Sequence, residues 1–325
     1  MTLQDHGIAD PLAPVARLTE AIAARLVGHE RLVERLAIGL LAGGHLLIEG
    51  PPGLAKTRAV KALAAGLDAS FARIQCTPDL MPSDMTGTQV FRPDDARFDF
   101  VPGPLFHSLV LVDEINRAPP KVQSALLEAM AERQITAGGV TRPLPEPFMV
   151  VATQNSIEHE GTFPLPEAQL DRFLLHVALA LPGAEAERAI LDLVEAEGRA
   201  PPAATGRRLG PAAIHAAQAA TDRVHLAPPL KDFIVRLVVA TRETAGTPLE
   251  GLVEHAVSPR GTLALAAAAR ARAALRGRDH ALPEDVEDLA PDALSHRLVP
   301  SWRATSDGIT PRDIVARALA HVRPW

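Results

Sequence analysis

The stretch IEGPPGLAKT, Ile48 to Thr57, constrains the fold more than any other part of this chain. It joins a run of apolar, strand-forming residues to a run with helical spacing. Gly50 and Gly53 let the backbone turn without a Cβ, and Pro51 and Pro52 stiffen the bend. A loop of this kind turns backbone N–H groups and a helix N-terminus toward one point, which suits a polyphosphate. Lys56 is then placed to reach the β- and γ-phosphates of a nucleotide, and the Thr57 hydroxyl to ligate Mg2+. The common pattern has a second glycine where Ala55 stands. Alanine is tolerated there at negative φ, as at a helix start, and that conformation is expected here.

The rest of the chain supplies the context such a loop needs. HLLIE (45–49), SFARIQ (70–75), LVLVD (109–113), FMVVAT (148–153) and FLLHVAL (173–179) are short apolar runs of the kind found in parallel strands covered on both faces. Between them, stretches such as RLVERLAIGLLAG (31–43) and KTRAVKALAAGL (56–67) carry apolar residues at helical spacing. This alternation predicts an α/β domain with a parallel sheet flanked by helices. The strand pattern stops near LPG (181–183), and the remainder is alanine-rich and helical, with PPAATGRR (201–208) as a linker. The expected division is an α/β nucleotide-binding domain over 1–182 and a small all-α domain over 183–325. Two interruptions, 88–101 and 134–148, read as surface hairpins, the second turning at Gly138-Gly139.

Other candidate residues fall at strand and helix ends. LVLVDEIN delivers Asp113 and Glu114 at the carboxyl end of an apolar strand, where parallel α/β sheets bind ligands. Asp113 suits the Mg2+ shell, and Glu114 suits polarisation of a water attacking the γ-phosphate. Asn155, ending VVATQN, can orient that water. Arg172 closes a short helix in LPEAQLDRF, and Arg260 opens a helix in SPRG; arginines that reach a γ-phosphate accelerate its transfer.

Composition narrows the function classes. The net charge of −6, with no Lys/Arg-rich stretch beyond Arg207-Arg208, argues against a nucleic-acid binder. A single cysteine, Cys76, excludes an intrachain disulfide and a Cys-based zinc site, and it reads as a buried small hydrophobe. No HExxH occurs, and His159-Glu160 reads as a solvated pair. No apolar run approaches the ~20 residues that span a bilayer. The start, MTLQDHGIADPLAP, has neither a basic region nor an apolar core, so a cytoplasmic protein without a signal peptide is expected.

Taken in order, GPPGLAKT, LVDEINRAPPKVQSALLEAMAERQIT, VVATQNSIEHEGTFPLPEAQLDRF and SPRGTLALAAAARARA resemble the MoxR family of AAA+ ATPases, over a span from about Val27 to His321. An alanine before the lysine is typical of that family. The resemblance implies an ATP-hydrolysing, Mg2+-dependent, chaperone-like motor that forms rings, usually of six subunits. It also implies a role in maturing other protein complexes, metalloenzymes among them, with a von Willebrand factor A-type partner. By position, Gly50, Pro51, Pro52, Gly53, Leu54, Ala55, Lys56, Thr57 and Arg58 match the phosphate loop, and Asp113 and Glu114 the acidic pair. Asn155 matches the first sensor, Arg172 the arginine finger acting on a neighbouring subunit, and Arg260 the second sensor. Gly28, in LVGHE, matches the segment near the adenine. The hairpin at 88–101 matches the helix-2 insert and that at 134–148 the pre-sensor-1 insert. Arg117 and Arg133 also face plausible subunit contacts, so three arginines compete for the role in trans. The family more often has Gly-Ala where Ala256-Val257 precede Ser-Pro-Arg here. Two other classes stand beside this one: a nucleic-acid-dependent AAA+ motor, and an ATP-binding regulatory scaffold with little hydrolysis.

Overall fold

A computed structural model of the chain describes residues 10–94, 96–156, 161–199 and 208–324. The first nine residues, the His159-Glu160 pair and the linker through Arg207 lie outside these. In chain order the strands are β1 (Leu46–Glu49), β2 (Phe71–Gln75), the hairpin β3 (Gly87–Arg92) with β4 (Arg97–Pro102), and β5 (Leu109–Asp113). A second hairpin, β6 (Gln134–Ala137) with β7 (Val140–Pro143), precedes β8 (Met149–Gln154) and β9 (Leu175–Ala178). Five of them form one sheet in the order β2-β5-β8-β1-β9, and every pairing in it is parallel. Each of the five apolar runs seen in the sequence contributes one of these strands. The two hairpins are antiparallel ribbons outside the sheet.

Alternate residues of a strand point to opposite faces, and here both faces are covered. Leu46, Ile48, Leu111 and Val151 enter one apolar core, while Leu47, Val110, Val112, Val150 and Ala152 enter the other. The helix Glu30–Leu41 packs against the first face. Gly39 permits its close approach, because a Cβ there would lie 2.0 Å from Leu46 Cδ1 and 2.9 Å from Met149 Cε.

From Ala184 onward the described chain is helical, apart from one short ribbon that pairs Val253–His255 with Val299–Pro300. This helical part does not hang free. Phe233, Leu237, Leu265, Leu289 and Ile314 belong to the same apolar core as Leu46, Ile48 and Val177 of the sheet. An ion cluster reinforces the join. Arg35, fully buried, donates to Asp292 at 2.9 Å and to Asp288 at 2.7 Å, and Asp292 also accepts from Arg31 and Arg312. Burial alone would raise the Asp292 carboxyl, yet Arg31 and Arg35 overcome it and hold the group below its ordinary value. Breaking such a buried cluster by removing one partner costs about 3–5 kcal/mol.

His45, just ahead of β1, locks the sheet to the helix Pro120–Glu132. Its Nδ1 accepts from the Val150 N–H at 3.0 Å, and its Nε2 lies 3.3 Å from the Met130 carbonyl. Only the neutral ring with its proton on Nε2 satisfies both contacts, and burial pushes its pKa down to about 4. The unfolded chain therefore takes up a proton near pH 6.5 that the folded chain refuses until about pH 4. Stability is complete above pH 6.5 and falls as the pH drops from there toward 4, by about 3 kcal/mol in total. Melting temperature measured from pH 7.5 to 5 is expected to drop, and less steeply in His45→Gln. Equal slopes in the two proteins would contradict this assignment.

Candidate functional site

The carboxyl ends of β1, β5 and β8 open onto a cleft of about 400 Å3. It is lined by Pro52, Gly53, Leu54, Ala55, Lys56, Thr57 and Arg58 on one side, and by Arg73, Gln75, Asp113, Glu114, Thr153 and Asn155 on the other. The loop between β1 and the helix Lys56–Gly66 shapes the first wall. Lys56 Nζ donates to the Gly50 carbonyl at 2.5 Å and to the Gln154 carbonyl at 3.1 Å, which fastens the loop to the end of β8.

Ala55 corrects the expectation drawn from the sequence. Its φ is 50° and its ψ 20°, in the left-handed region and not at negative φ. The chain leaves Gly53, at φ 86°, and needs one more left-handed residue before the helix begins, which is the work of the second glycine in the common pattern. An L-residue pays roughly 1–2 kcal/mol for that conformation. The greater freedom of glycine in the unfolded chain offsets part of any gain from replacing it. Ala55→Gly is expected to raise the midpoint of chemical unfolding, corresponding to a gain in unfolding free energy of a few tenths to about 1 kcal/mol. A lowered midpoint would show that the methyl group is needed for packing.

Opposite the loop, the Thr57 hydroxyl lies 3.2 Å from both oxygens of Asp113. Asp113, 5% exposed, also accepts from Thr153 Oγ1 at 2.9 Å and from Arg73 Nε at 2.8 Å. Glu114 follows in the left-handed region, at φ 57°, and its N–H donates to Thr153 Oγ1 at 3.0 Å. That twist sends its side chain away from the strand direction, where Gln75 Nε2 donates to it at 3.0 Å and Arg117 at 3.3 Å. Asn155 is buried at the end of β8. A hydroxyl, a carboxylate and a second carboxylate facing a glycine-bearing loop form a donor set suited to hard cations and phosphates. Thr57 and Asp113 are the residues that fit a metal ion, and the open space around Gly53, with nothing within 4 Å of a Cβ there, leaves room for a phosphate. Cys76 sits beneath, and burial with the nearby Asp113 and Glu114 raises its thiol to about 12, so no thiolate forms at neutral pH.

Not every candidate meets here. Gly28 lies in the turn before the helix Glu30–Leu41, at φ 79°, where a Cβ would come 3.2 Å from that of Ala186. Arg58 connects that turn to the loop by donating to the Arg25 carbonyl at 3.4 Å. Arg172 donates to the Leu127 carbonyl at 2.6 Å and does not line the cleft. Arg260 stands 3.7 Å from Asp171, the neighbour of Arg172 in sequence, and is mostly exposed. Asp171 also accepts from Ser258 Oγ at 3.1 Å and from Arg297 at 2.9 Å, whose guanidinium burial lowers to about 10. Asp171 thus gathers Ser258, Arg260 and Arg297 at the junction with the helical part, while the Arg172 side chain points to Leu127. Arg133 caps its helix at φ 51° and donates to the Gly43 carbonyl at 2.9 Å.

Sequence reasoning missed Arg73, Gln75, Thr153 and Asp171. The signal for the first two was present in SFARIQ, where polar residues at alternate positions near the end of a strand share one face. Asp171 carries no such mark, because its role depends on residues more than eighty positions away.

A phosphate-type loop on a parallel sheet, facing an acidic pair and joined to a helical lid, defines a P-loop nucleotide-binding protein of the AAA class. The family model described as ATPase family associated with various cellular activities (AAA) matches residues 45–175, and the AAA lid domain matches 249–318. The chain is 45% identical to Chaperone MoxR1 of Mycobacterium tuberculosis, over 98% of this chain and 84% of that protein. It is 34% identical to Protein MoxR of Methylorubrum extorquens, over 90% of each. A putative ATPase from Cytophaga hutchinsonii superposes with a TM-score of 0.87 at 38% identity, covering 96% of this chain and 95% of the other. The chain belongs to the MoxR family of AAA+ ATPases.

Proposed function

We propose that this chain hydrolyses ATP to ADP and phosphate and uses the cycle to remodel protein complexes. The observation that carries the reading is the convergence of Thr57 on Asp113 at 3.2 Å, with Glu114 next in the chain and the Lys56 loop opposite. In this reading the backbone of Gly50 to Ala55 and the Lys56 ammonium bind the phosphates, with Leu54, Arg58 and the Gly28 turn on the side of the base. Thr57 and Asp113 hold Mg2+. There they would let the metal supply positive charge that offsets the negative charge developing on the phosphates. Glu114 and Asn155 orient the attacking water, Glu114 as the group that polarises it. Arg172, off the cleft, acts on the nucleotide of the adjoining subunit in a ring, which we take to have six members, and Arg260 acts as the second sensor at the junction with the lid.

The same reading extends to domains and partners. Residues 1–182 form the nucleotide domain and 183–325 the lid, and the chain works in the cytoplasm. No helix among the described residues is long and apolar enough to cross a membrane. The clients are protein complexes under maturation, metalloenzymes included, with a von Willebrand factor A-type partner; the similarity to Chaperone MoxR1 supports the chaperone part of this role. The 88–101 hairpin suits client contact. Phe91 and Phe98 pack at 5.2 Å between ring centroids and stay about half or more exposed. Arg92 and Arg97 pair with Asp99 within the hairpin, so they do not form a free basic stripe for nucleic acid.

Glu114→Gln is expected to keep ATP binding while steady-state hydrolysis falls by roughly 10²-fold or more, and Lys56→Ala to lose binding itself. Unchanged turnover in both variants would reject the reading. For action between subunits, mixing Glu114→Gln with Arg172→Ala chains is expected to change activity away from the sum of the two preparations. Simple additivity would place Arg172 outside the neighbour's site.

A further inference from the structure

Asp113 already has a cation beside it. Arg73 Nε donates to Asp113 Oδ2 at 2.8 Å, and the same guanidinium donates through NH2 to Gln75 Oε1 at 3.0 Å. Gln75 in turn donates from Nε2 to Glu114 at 3.0 Å. Residues 73 and 75 lie two apart on β2, so their side chains leave the same face, and the register sets Gln75 opposite Asp113. One strand at the sheet edge thus grips both carboxylates of the cleft, the buried one through a charge and the next through an amide.

Charge decides what this arrangement does. A carboxylate as buried as Asp113 needs a counter-charge, and Arg73 supplies it. A divalent cation between Thr57 and Asp113 would set two positive charges beside the guanidinium, and it would claim an oxygen that Arg73 now uses. Both cannot hold Asp113 at full strength. The Arg73 side chain is 44% exposed, so it has solvent to move into, whereas Asp113 is fixed by Thr153.

We infer that Arg73 is the resident counter-cation of Asp113 in the nucleotide-free protein, that a divalent metal must displace it, and that it thereby sets the Mg2+ concentration at which the cleft loads. The inference rests on Asp113 being the metal site proposed above.

The test uses the full chain and a fluorescent ATP analogue, with polarisation followed against free Mg2+ and again in EDTA. Arg73→Gln is expected to lower the half-saturating Mg2+ by roughly three- to tenfold, with affinity in EDTA unchanged. Its melting temperature in EDTA should fall below that of the wild type, and Mg2+ with nucleotide should restore it. Gln75→Ala, which loosens the guanidinium without deleting its charge, should shift the Mg2+ midpoint the same way by less, and it serves if Arg73→Gln does not fold. An unmoved midpoint in a variant, with a Mg2+-dependent wild type, overturns this inference alone. A raised midpoint with weaker binding in EDTA also overturns it and makes Arg73 a phosphate ligand. A wild type whose nucleotide binding ignores Mg2+ overturns the metal site and this inference together.

Discussion

The parallel pairing of β1 between β8 and β9 is the constraint on which the rest of the structure depends. Parallel strands send all their carboxyl ends to one edge, so the turn after β1, the acidic pair after β5 and the end of β8 are neighbours in space although about a hundred residues separate them in sequence. Lys56 makes the connection explicit, since one ammonium holds a carbonyl from the end of each of two adjacent strands. A register slip of one residue would turn Leu46 and Ile48 out of one core and break that grip at the same time.

Backbone strain is found on both sides of the same cleft. Ala55 and Glu114 are both non-glycine residues in the left-handed region, and they face each other across the site. Each conformation is held by something rigid, the loop anchored by Lys56 in one case and the Thr153 hydroxyl in the other. Thr153 joins the two acidic residues, because it donates to Asp113 while accepting from the Glu114 N–H. The position of the second carboxylate is therefore tied to that of the first, through a residue with no charge of its own.

Much of this was legible in the sequence because it rests on local patterns. The five apolar runs, the two hairpins and the loop before Lys56 are set by residues close to one another, and periodicity with glycine and proline placement reveals them. The conformation of Ala55 was not legible: a helix start favours negative φ, and only the path from Gly53 forces the opposite sign. Nor were the partners of the acidic pair. Arg73 looked like one polar residue in a strand, and Asp171 like part of a helix end. Their significance comes from contacts with Asp113 and with Ser258 and Arg297, which only the folded chain creates. Arg260 opens a helix as the sequence reads, but its closeness to Asp171 follows from packing and not from spacing.

The shared core between sheet and lid carries a mechanical consequence. Hinging the two parts at residues 179–183 would pull Leu289 and Ile314 away from the sheet and expose the charges of Arg35 and Asp292, which are fully buried. Bending at that point would therefore cost the fold a shared core and a buried charge pair at once, so the packing itself resists an elbow there.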